Sequence, residues 1–268
     1  MTAIAVTIAG SDSGGGAGIQ ADIKTFSALG VYGASVIAAL TAQNTTGVTA
    51  IHDVPADFVT AQIDAVFSDL AVDAVKIGML SNPATIHAVA DGLDRFGQKK
   101  IVLDPVMVAA SGDRLLKPEA TDVLRRLLIP KAMVITPNLP EAASLLDAPI
   151  AQTESDMQAQ GEKLLALGAK AVLMKGGHGS GAESVDLLIE PNAVARLTAE
   201  RIDTQNTHGT GCTLSSAVAA GLAKGQPLAE AVREAKAYIT AAILAADTLK
   251  IGHGHGPVHH FHHVWKKA

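Results

Sequence analysis

The sequence predicts an α/β protein in which a mostly parallel sheet lies between two layers of helices. Short apolar segments rich in β-branched residues alternate with helical patterns along almost the whole chain, which is typical of a parallel sheet covered on both faces. Of the 268 residues, 48% are hydrophobic and only 3% are aromatic, a composition suited to a core of aliphatic side chains. Glycines and polar residues follow six of the strands, where open α/β sheets place their ligands.

The elements follow in chain order from hydrophobic periodicity and turn signals. The predicted strands are Ile4–Ala9, Ala34–Leu40, Ala74–Gly78, Lys100–Pro105, Met133–Pro137, Ala171–Gly176 and Val185–Glu190, with Ala193–Asp203 as a further edge strand. The predicted helices are Ile19–Leu29, Pro55–Leu70, Pro83–Phe96, Glu119–Leu128, Leu139–Leu146, Glu154–Leu167, Cys212–Ala223 and Leu228–Leu249. No linker or internal repeat divides residues 1–268, so we expect a single domain.

Composition and charge exclude several classes of protein. The formal net charge is -5 and no long basic run is present, so no nucleic-acid footprint is visible. A single cysteine excludes an internal disulfide. Met1–Gly10 has neither the basic nor the apolar region of a signal peptide, and no apolar segment reaches the ~20 residues of a membrane helix. We therefore expect a soluble, cytoplasmic protein.

The most informative segment is Asn206–Thr213, which runs into a predicted amphipathic helix with apolar residues at every fourth position. Gly209 and Gly211 leave the backbone accessible where the first amides of a helix have no internal partner. Such a helix start favours anions such as phosphate. Cys212 lies at the same point, where we expect the thiolate to be favoured over the thiol. The alternative is a helix start punctuated by glycine, with a small buried cysteine.

A glycine-rich loop, Gly10–Gly18, follows the first strand and opens the first helix. It matches neither the dinucleotide fingerprint nor the P-loop pattern, which weakens both interpretations. Either the backbone of this loop comes close to a small ligand, or the loop is a flexible turn. Asp22 on the helix that follows is by local pattern a favourable acidic residue near a helix start. Gln43 ends an apolar strand, and its amide suits the edge of an aminopyrimidine or a solvated surface equally well.

Three other strand ends carry candidate ligands. Asn138 and Glu141 resemble a capping box, or alternatively hold a hydrated Mg²⁺, which takes few protein carboxylates. Asp104 would complement them at its own strand end, or cap a turn. Lys175 emerges from an apolar strand and could reach a nucleotide phosphate as a point charge.

The tail Gly252–His263 holds six of the ten histidines. No cysteine or carboxylate is interleaved with them, and their spacing matches no zinc pattern. We interpret the tail as a glycine-rich turn near the active site followed by a surface segment.

Taken together, these segments resemble the hydroxymethylpyrimidine/phosphomethylpyrimidine kinases of thiamine biosynthesis, a branch of the ribokinase-like superfamily. The resemblance spans nearly the whole chain in collinear order. It rests on Gly10–Thr25, Ala39–Thr45, Lys76–Leu80, Asp104–Met107, Thr136–Ala142, Lys175–His178, Thr207–Ser216 and Gly252–His260. Gln43 and the C-terminal Gly252–Gly254 narrow it to the pyrimidine branch.

The resemblance implies a ribokinase-like three-layer α/β/α sandwich and two successive phosphoryl transfers from ATP with Mg²⁺. The acceptors would be 4-amino-5-hydroxymethyl-2-methylpyrimidine and then its monophosphate. The implied catalytic residues are Cys212, Gly209, Gly211 and Lys175. The implied substrate contacts are Gln43, Gly10, Asp22, Met79 and Val106; those to the nucleotide are Asn138, Thr207 and Thr210, and the metal ligands are Asp104 and Glu141. A homodimer is also implied.

Two features bear on these roles. Most sugar and nucleoside kinases of this superfamily carry an aspartate base where this chain has Cys212, whereas the pyrimidine branch and some pyridoxal kinases carry cysteine. Val108–Leu116 is either a flap that excludes water during transfer or an ordinary surface loop.

A pyridoxal kinase of the same fold is the nearest alternative function. A nicotinamide-dependent oxidoreductase is opposed by the failed fingerprint, and a non-catalytic pyrimidine sensor by the set of Asn138, Glu141, Lys175 and Cys212.

Overall fold

A computed structural model describes residues 1–107, 118–177 and 181–265 of the chain. Its strands are β1 (Ile4–Asp12), β2 (Tyr32–Asn44), β3 (Gly47–Asp53), β4 (Ala74–Ile77), β5 (Ile101–Leu103), β6 (Val134–Ile135), β7 (Val172–Lys175), β8 (Glu183–Glu190) and β9 (Ala193–Glu200). Its helices are α1 (Gly18–Ala28), α2 (Ala56–Phe67), α3 (Pro83–Arg95), α4 (Pro118–Leu127), α5 (Leu139–Leu146), α6 (Glu154–Leu165), α7 (Thr210–Ala223) and α8 (Leu228–Leu244).

All nine strands belong to one sheet, in the order β3-β2-β1-β4-β5-β6-β7-β8-β9. The six strands from β2 to β7 in this order are parallel to one another, whereas β3, β8 and β9 pair antiparallel at the two edges. The predicted mostly parallel sheet is therefore confirmed. Because the parallel strands end at the same edge, their polar termini meet there.

Helices cover both faces of the sheet, as the fold prediction requires. On one face α1, α7 and α8 pack through residues such as Phe26, Val218 and Ile239. On the other face α2 to α6 build a second core that includes Ile63 and Leu164. These two cores and the sheet between them form the three layers of an α/β/α sandwich.

The helix starts follow local sequence signals. Asn82 accepts a hydrogen bond from the Thr85 amide ahead of Pro83, the first residue of α3, an arrangement that satisfies a free amide and uses the fixed φ of proline. Thr153 and Asp156 form a capping box at the start of α6. Local capping thus fixes where these helices begin, independently of the core.

Two expectations about individual elements are wrong. β3 was not anticipated, because its residues are mostly exposed and pair only with β2 at the sheet edge. The helix after Cys212 is not amphipathic: every residue from Thr213 to Ala223 is buried in α7, since the sheet, α1 and α8 surround it. Its many small residues permit that close packing. Within the described ranges, no helix is both long and apolar enough to span a bilayer.

Candidate active site

The start of α7 carries three backbone amides without partners. Gly209 precedes the helix with φ +81°, and the first regular helical bond runs from the Thr213 amide to the Gly209 carbonyl at 2.9 Å. Among the described residues, the amides of Gly209, Gly211 and Cys212 donate no hydrogen bond. Together with the positive end of the helix dipole, these donors form a site for an anion.

A cluster of charged side chains lies beside this helix start. The Lys175 Nζ is 2.9 Å from Asp104 Oδ1 and 3.9 Å from Glu141 Oε2. A Cβ placed on Gly211 would lie 3.2 Å from the Lys175 Nζ. The structure therefore brings the ends of β5 and β7 and the start of α5 against the amides of α7, as the strand-end pattern predicts.

The three groups of this cluster differ in their pKa values. Burial opposes the charged form of Lys175, but the carboxylates of Asp104 and Glu141 outweigh burial and raise its pKa. Burial alone would also raise the pKa of Asp104, which the nearby Lys175 and Lys76 hold below its ordinary value. Glu141 is different, because burial raises its pKa to about 7. Asp104 and Lys175 thus form the charged pair, and Glu141 changes its protonation near neutral pH.

Cys212 is a thiol at neutral pH, so the expectation of a favoured thiolate is wrong. The residue is only partly buried, yet the atoms around its sulfur desolvate it, and this raises its pKa to about 11. Lys76 and the Gly18 amide favour the thiolate, but the carboxylates of Asp22 and Asp104 oppose it. Burial and these two negative charges outweigh Lys76 and the Gly18 amide.

Asp22 lies beneath the site and does not line it, in contrast to its expected contact with substrate. Its carboxylate is fully buried, 2.9 Å from the Lys76 Nζ, and also accepts hydrogen bonds from Thr7 and Ser216. These four residues join α1, β1, β4 and α7. Loss of one partner from a buried ion pair typically costs about 3–5 kcal/mol of unfolding free energy. The pair therefore holds these four elements together beneath the site. A Cβ on Gly78 would come within 2.7 Å of the Lys76 Nζ.

The remaining substrate-side candidates lie at the ends of β1, β2, β4 and β5. Gly10 and Met79 are in contact, since a Cβ on Gly10 would lie 2.5 Å from the Met79 Cε. Gln43 is partly exposed, and its Oε1 accepts a hydrogen bond from Thr41 at 2.9 Å. Its amide nitrogen donates to no partner among the described residues. Val106 is partly exposed beyond the end of β5.

The nucleotide-side candidates serve partly as local structure. Asn138 and Glu141 form a capping box, with reciprocal hydrogen bonds of 2.8 and 2.7 Å, which confirms the local interpretation of this pair. Thr207 is exposed, and its carbonyl accepts a hydrogen bond from the Thr210 hydroxyl at 2.7 Å. Thr207 and Thr210 therefore lie on the two sides of Gly209, next to the anion site.

Two site residues, Asp12 and His208, were missed by the sequence reasoning. Asp12 accepts hydrogen bonds from the amides of Gly14, Gly16 and Ala17, so the glycine-rich loop is an ordered turn in which these three amides are already used. His208 lies 2.8 Å from the same carboxylate. An Asp two residues ahead of glycines is a turn signal, and this signal could have identified Asp12.

The histidine-rich tail packs against the protein in part. Within residues 1–107, 118–177 and 181–265, no group of three or more His, Cys, Asp or Glu side chains could hold a metal ion. His259 and His260 are buried, whereas His253 and His255 are exposed. The candidate flap Val108–Leu116 lies outside the described residues, as does His178.

This fold and site define a ribokinase-like phosphotransferase: an α/β/α sandwich whose strand ends present a lysine and carboxylates to free amides at a glycine-bearing helix start. Residues 12–259 match the family model for phosphomethylpyrimidine kinase. The chain belongs to the phosphomethylpyrimidine kinase family.

Three known proteins illustrate the relationship. The hydroxymethylpyrimidine/phosphomethylpyrimidine kinase of Rhizobium meliloti is 65% identical over 99% of this chain and 100% of its own length. The thiamine biosynthesis bifunctional protein ThiED of Geobacter sulfurreducens is 54% identical over 95% of this chain and 51% of its own length. The structure of an ADP complex of Bacillus subtilis pyridoxal kinase superposes with a TM-score of 0.90 at 39% identity, over 97% of this chain and 98% of that one.

Two glycines at positive φ flank α7 and allow a matched test of its start. A Cβ on Gly209 would lie 1.9 Å from the Gly16 carbonyl oxygen. A Cβ on Gly225, at φ +86°, would meet none of the described atoms within 4 Å. We expect Gly225→Ala to cost about 1–2 kcal/mol of unfolding free energy through its backbone conformation and to retain kinase turnover. We expect Gly209→Ala to lower turnover about 10²-fold as well, because it displaces anion-binding amides. Thermal unfolding and steady-state kinetics measure both; equal turnover in the two variants would contradict this role of Gly209.

Proposed function

We propose that this chain transfers the terminal phosphoryl group of ATP to 4-amino-5-hydroxymethyl-2-methylpyrimidine, and then a second one to the resulting monophosphate, in thiamine biosynthesis. The observation that carries the proposal is the set of unpartnered amides at Gly209, Gly211 and Cys212, beside the Lys175 ammonium. Membership of the family and the names of the relatives support the choice of acceptor. The ADP complex of the pyridoxal kinase neighbour supports the nucleotide.

In the proposed reaction, the acceptor oxygen attacks the terminal phosphorus, the bond to the bridging oxygen breaks, ADP leaves and the acceptor proton is released. Charge spreads over the transferring oxygens in such a step, so positioning and electrostatics supply most of the catalysis. The amides of α7 hold those oxygens, and Lys175 balances their charge.

Cys212 orients the acceptor rather than serving as its base. With a pKa raised to about 11 by burial, its sulfur carries a proton at neutral pH. A thiol at this position can hydrogen-bond the acceptor oxygen and exclude water from it, while the proton leaves with solvent or phosphate. This role is compatible with cysteine where most of the superfamily has aspartate.

Asp104 and Glu141 are the residues that would hold Mg²⁺. Their carboxylates are buried, come from two different elements and provide the hard oxygen donors that Mg²⁺ takes in small number. When bound, the ion neutralises charge on the nucleotide phosphates. Lys175 lies between the two carboxylates, and so it keeps them from repelling each other and the incoming phosphates.

Gln43 is the residue we propose to recognise the aminopyrimidine. Its free amide nitrogen can donate to a ring nitrogen, and Gly10, Met79 and Val106 provide an apolar surface at the neighbouring strand ends. Pyridoxal phosphorylation is the second candidate activity, favoured by the similarity to the Bacillus subtilis pyridoxal kinase. Supplying ATP and Mg²⁺ with either acceptor, and following the phosphorylated products over time, separates the two: faster turnover of pyridoxal would reverse the assignment.

We also propose that the protein is a cytoplasmic homodimer. Large apolar side chains are exposed on and beside the antiparallel edge of the sheet, with Leu40 45%, Ile51 40% and Phe58 60% exposed, and a second copy would cover them. Sedimentation equilibrium should therefore give twice the chain mass of 27.4 kDa. A single-chain mass at assay concentration would contradict the dimer.

Replacing the thiol tests the role of Cys212. We expect Cys212→Ala to fold and to lower kcat about 10²-fold, with little change in KM for either substrate, because the lost contact orients the reacting oxygen. Cys212→Ser should retain more turnover than Cys212→Ala, since a hydroxyl can also orient the acceptor. Unchanged kcat in Cys212→Ala would remove this residue from the catalytic set.

The Glu141 carboxyl predicts a pH-dependent requirement for Mg²⁺. Burial raises its pKa to about 7, and only the deprotonated form binds the ion. Lowering the pH from 8 to 6 should therefore weaken the apparent affinity for Mg²⁺, toward tenfold per pH unit below the pKa. Glu141→Gln should need more Mg²⁺ at every pH and lose this dependence on pH.

Glu162→Gln, an exposed change on α6, is the control and should behave as the unchanged chain does. An Mg²⁺ requirement in the unchanged chain that is the same at pH 6 and pH 8 would refute the assignment of Glu141.

A further inference from the structure

One carboxylate organises the glycine-rich loop. Asp12 is 2% exposed; its Oδ1 accepts from the Gly14 amide at 2.8 Å, and its Oδ2 from the amides of Gly16 and Ala17 at 3.0 and 2.8 Å. Burial alone would raise the pKa of Asp12, but the His208 hydrogen bond and the amides of Ala17 and Gly14 hold it below its ordinary value. The loop therefore closes around an ionised side chain.

The same carboxylate reaches the start of α7. The His208 Nε2 lies 2.8 Å from Asp12 Oδ2, and because an ionised carboxylate can only accept, Nε2 carries the proton in this contact. His208 immediately precedes Gly209, whose missing side chain leaves room for the Gly16 carbonyl oxygen. The loop and the anion site are thus in direct backbone contact, joined by one side-chain bridge.

The C-terminal segment Gly256–His260 holds the backbone of His208 through hydrogen bonds. The His208 amide donates to the Gly256 carbonyl at 3.0 Å, and the Val258 amide donates to the His208 carbonyl at 3.2 Å. At the end of the segment, the His260 Nε2 lies 3.0 Å from the hydroxyl of Thr213, which follows Cys212 in α7. Part of the histidine-rich tail therefore fixes His208 in place.

We propose that Asp12 and His208 are positioning residues for phosphoryl transfer, forming a clasp that sets the place of the Gly209, Gly211 and Cys212 amides relative to the acceptor. The inference rests on the proposed function. Neither side chain touches the reacting atoms; the bridge acts through the backbone at Gly209. Without it, the main chain at the helix start is free to move away from the transferring group, and small misplacements of this kind cost turnover steeply.

The test compares three replacements of these two residues with the unchanged chain. His208→Leu removes the donor, His208→Gln keeps an N–H donor near the position of Nε2, and Asp12→Asn keeps the shape of its side chain without the charge. We expect His208→Leu and Asp12→Asn to lower kcat about 10–100-fold while KM for ATP and for the pyrimidine changes less than about threefold. His208→Gln should recover most of the lost kcat.

Coupling within the bridge provides the second measurement. Combining His208→Leu with Asp12→Asn should reduce kcat little further than either change alone, because both break one contact. His87→Leu, an exposed change on α3, is the matched control and should leave both constants unchanged. Circular dichroism and nucleotide affinity establish that each variant is folded, and Asp12→Asn carries the test if His208→Leu does not fold.

The possible outcomes separate the clasp from the proposed function. If the unchanged chain is active and His208→Leu or Asp12→Asn keeps full kcat, the clasp alone is overturned. The clasp is also overturned if the double variant loses kcat by the product of the two single losses. A change in KM with kcat retained would also overturn it, since that pattern marks binding rather than positioning. If the unchanged chain forms no phosphorylated pyrimidine, the proposed function itself fails and the clasp fails with it.

Discussion

Backbone amides that cannot find an acceptor impose the main constraint on this site. A helix must leave its first N–H groups unpaired, and at α7 neither a capping side chain nor the described backbone satisfies those of Gly209, Gly211 and Cys212. Three other helices avoid the cost, because Asn82, Asn138 and Thr153 each cap theirs. Partly exposed donors at the end of the sheet form a site that favours an anion, and a phosphoryl group is such an anion.

The arrangement of charge around α7 follows from that constraint. Lys175 lies close to Gly211 and is held there by Asp104, so a positive charge and a carboxylate both lie next to the amides of the helix start. Below, the buried pair of Lys76 and Asp22 connects α7 to the sheet without adding net charge. Burial also raises the pKa of Cys212, so its sulfur stays protonated. We therefore expect the thiol to orient the acceptor and not to remove its proton.

Much of the fold was predictable because each long element carries its own periodicity. The central parallel strands are buried on both faces, so they read as continuous apolar segments, and the edge strand β9 was also anticipated. The exposed strand β3 has no such pattern and depends on pairing with β2. α7 was misjudged for a different reason: its alanines, serines and glycines give a weak apolar stripe, whereas its burial comes from neighbours far away in sequence.

The site was predictable to the extent that strand ends determine it. Residues such as Asp104, Lys175 and Glu141 come together because parallel strands finish at one edge of the sheet. Pairings across long stretches of chain were not visible in the sequence: Asp22 with Lys76, and Asp12 with His208, join residues 54 and 196 positions apart. Desolvation of Cys212 likewise depends on packing, so the local pattern alone gave its protonation incorrectly.

The most direct measurement is a crystal structure of this chain with a non-hydrolysable ATP analogue, Mg²⁺ and the hydroxymethylpyrimidine. The terminal phosphate oxygens should lie about 3 Å from the amides of Gly209, Gly211 and Cys212, with the acceptor hydroxyl close to the sulfur. A terminal phosphate bound at the glycine-rich loop instead, with those three amides still unpaired, would contradict the account.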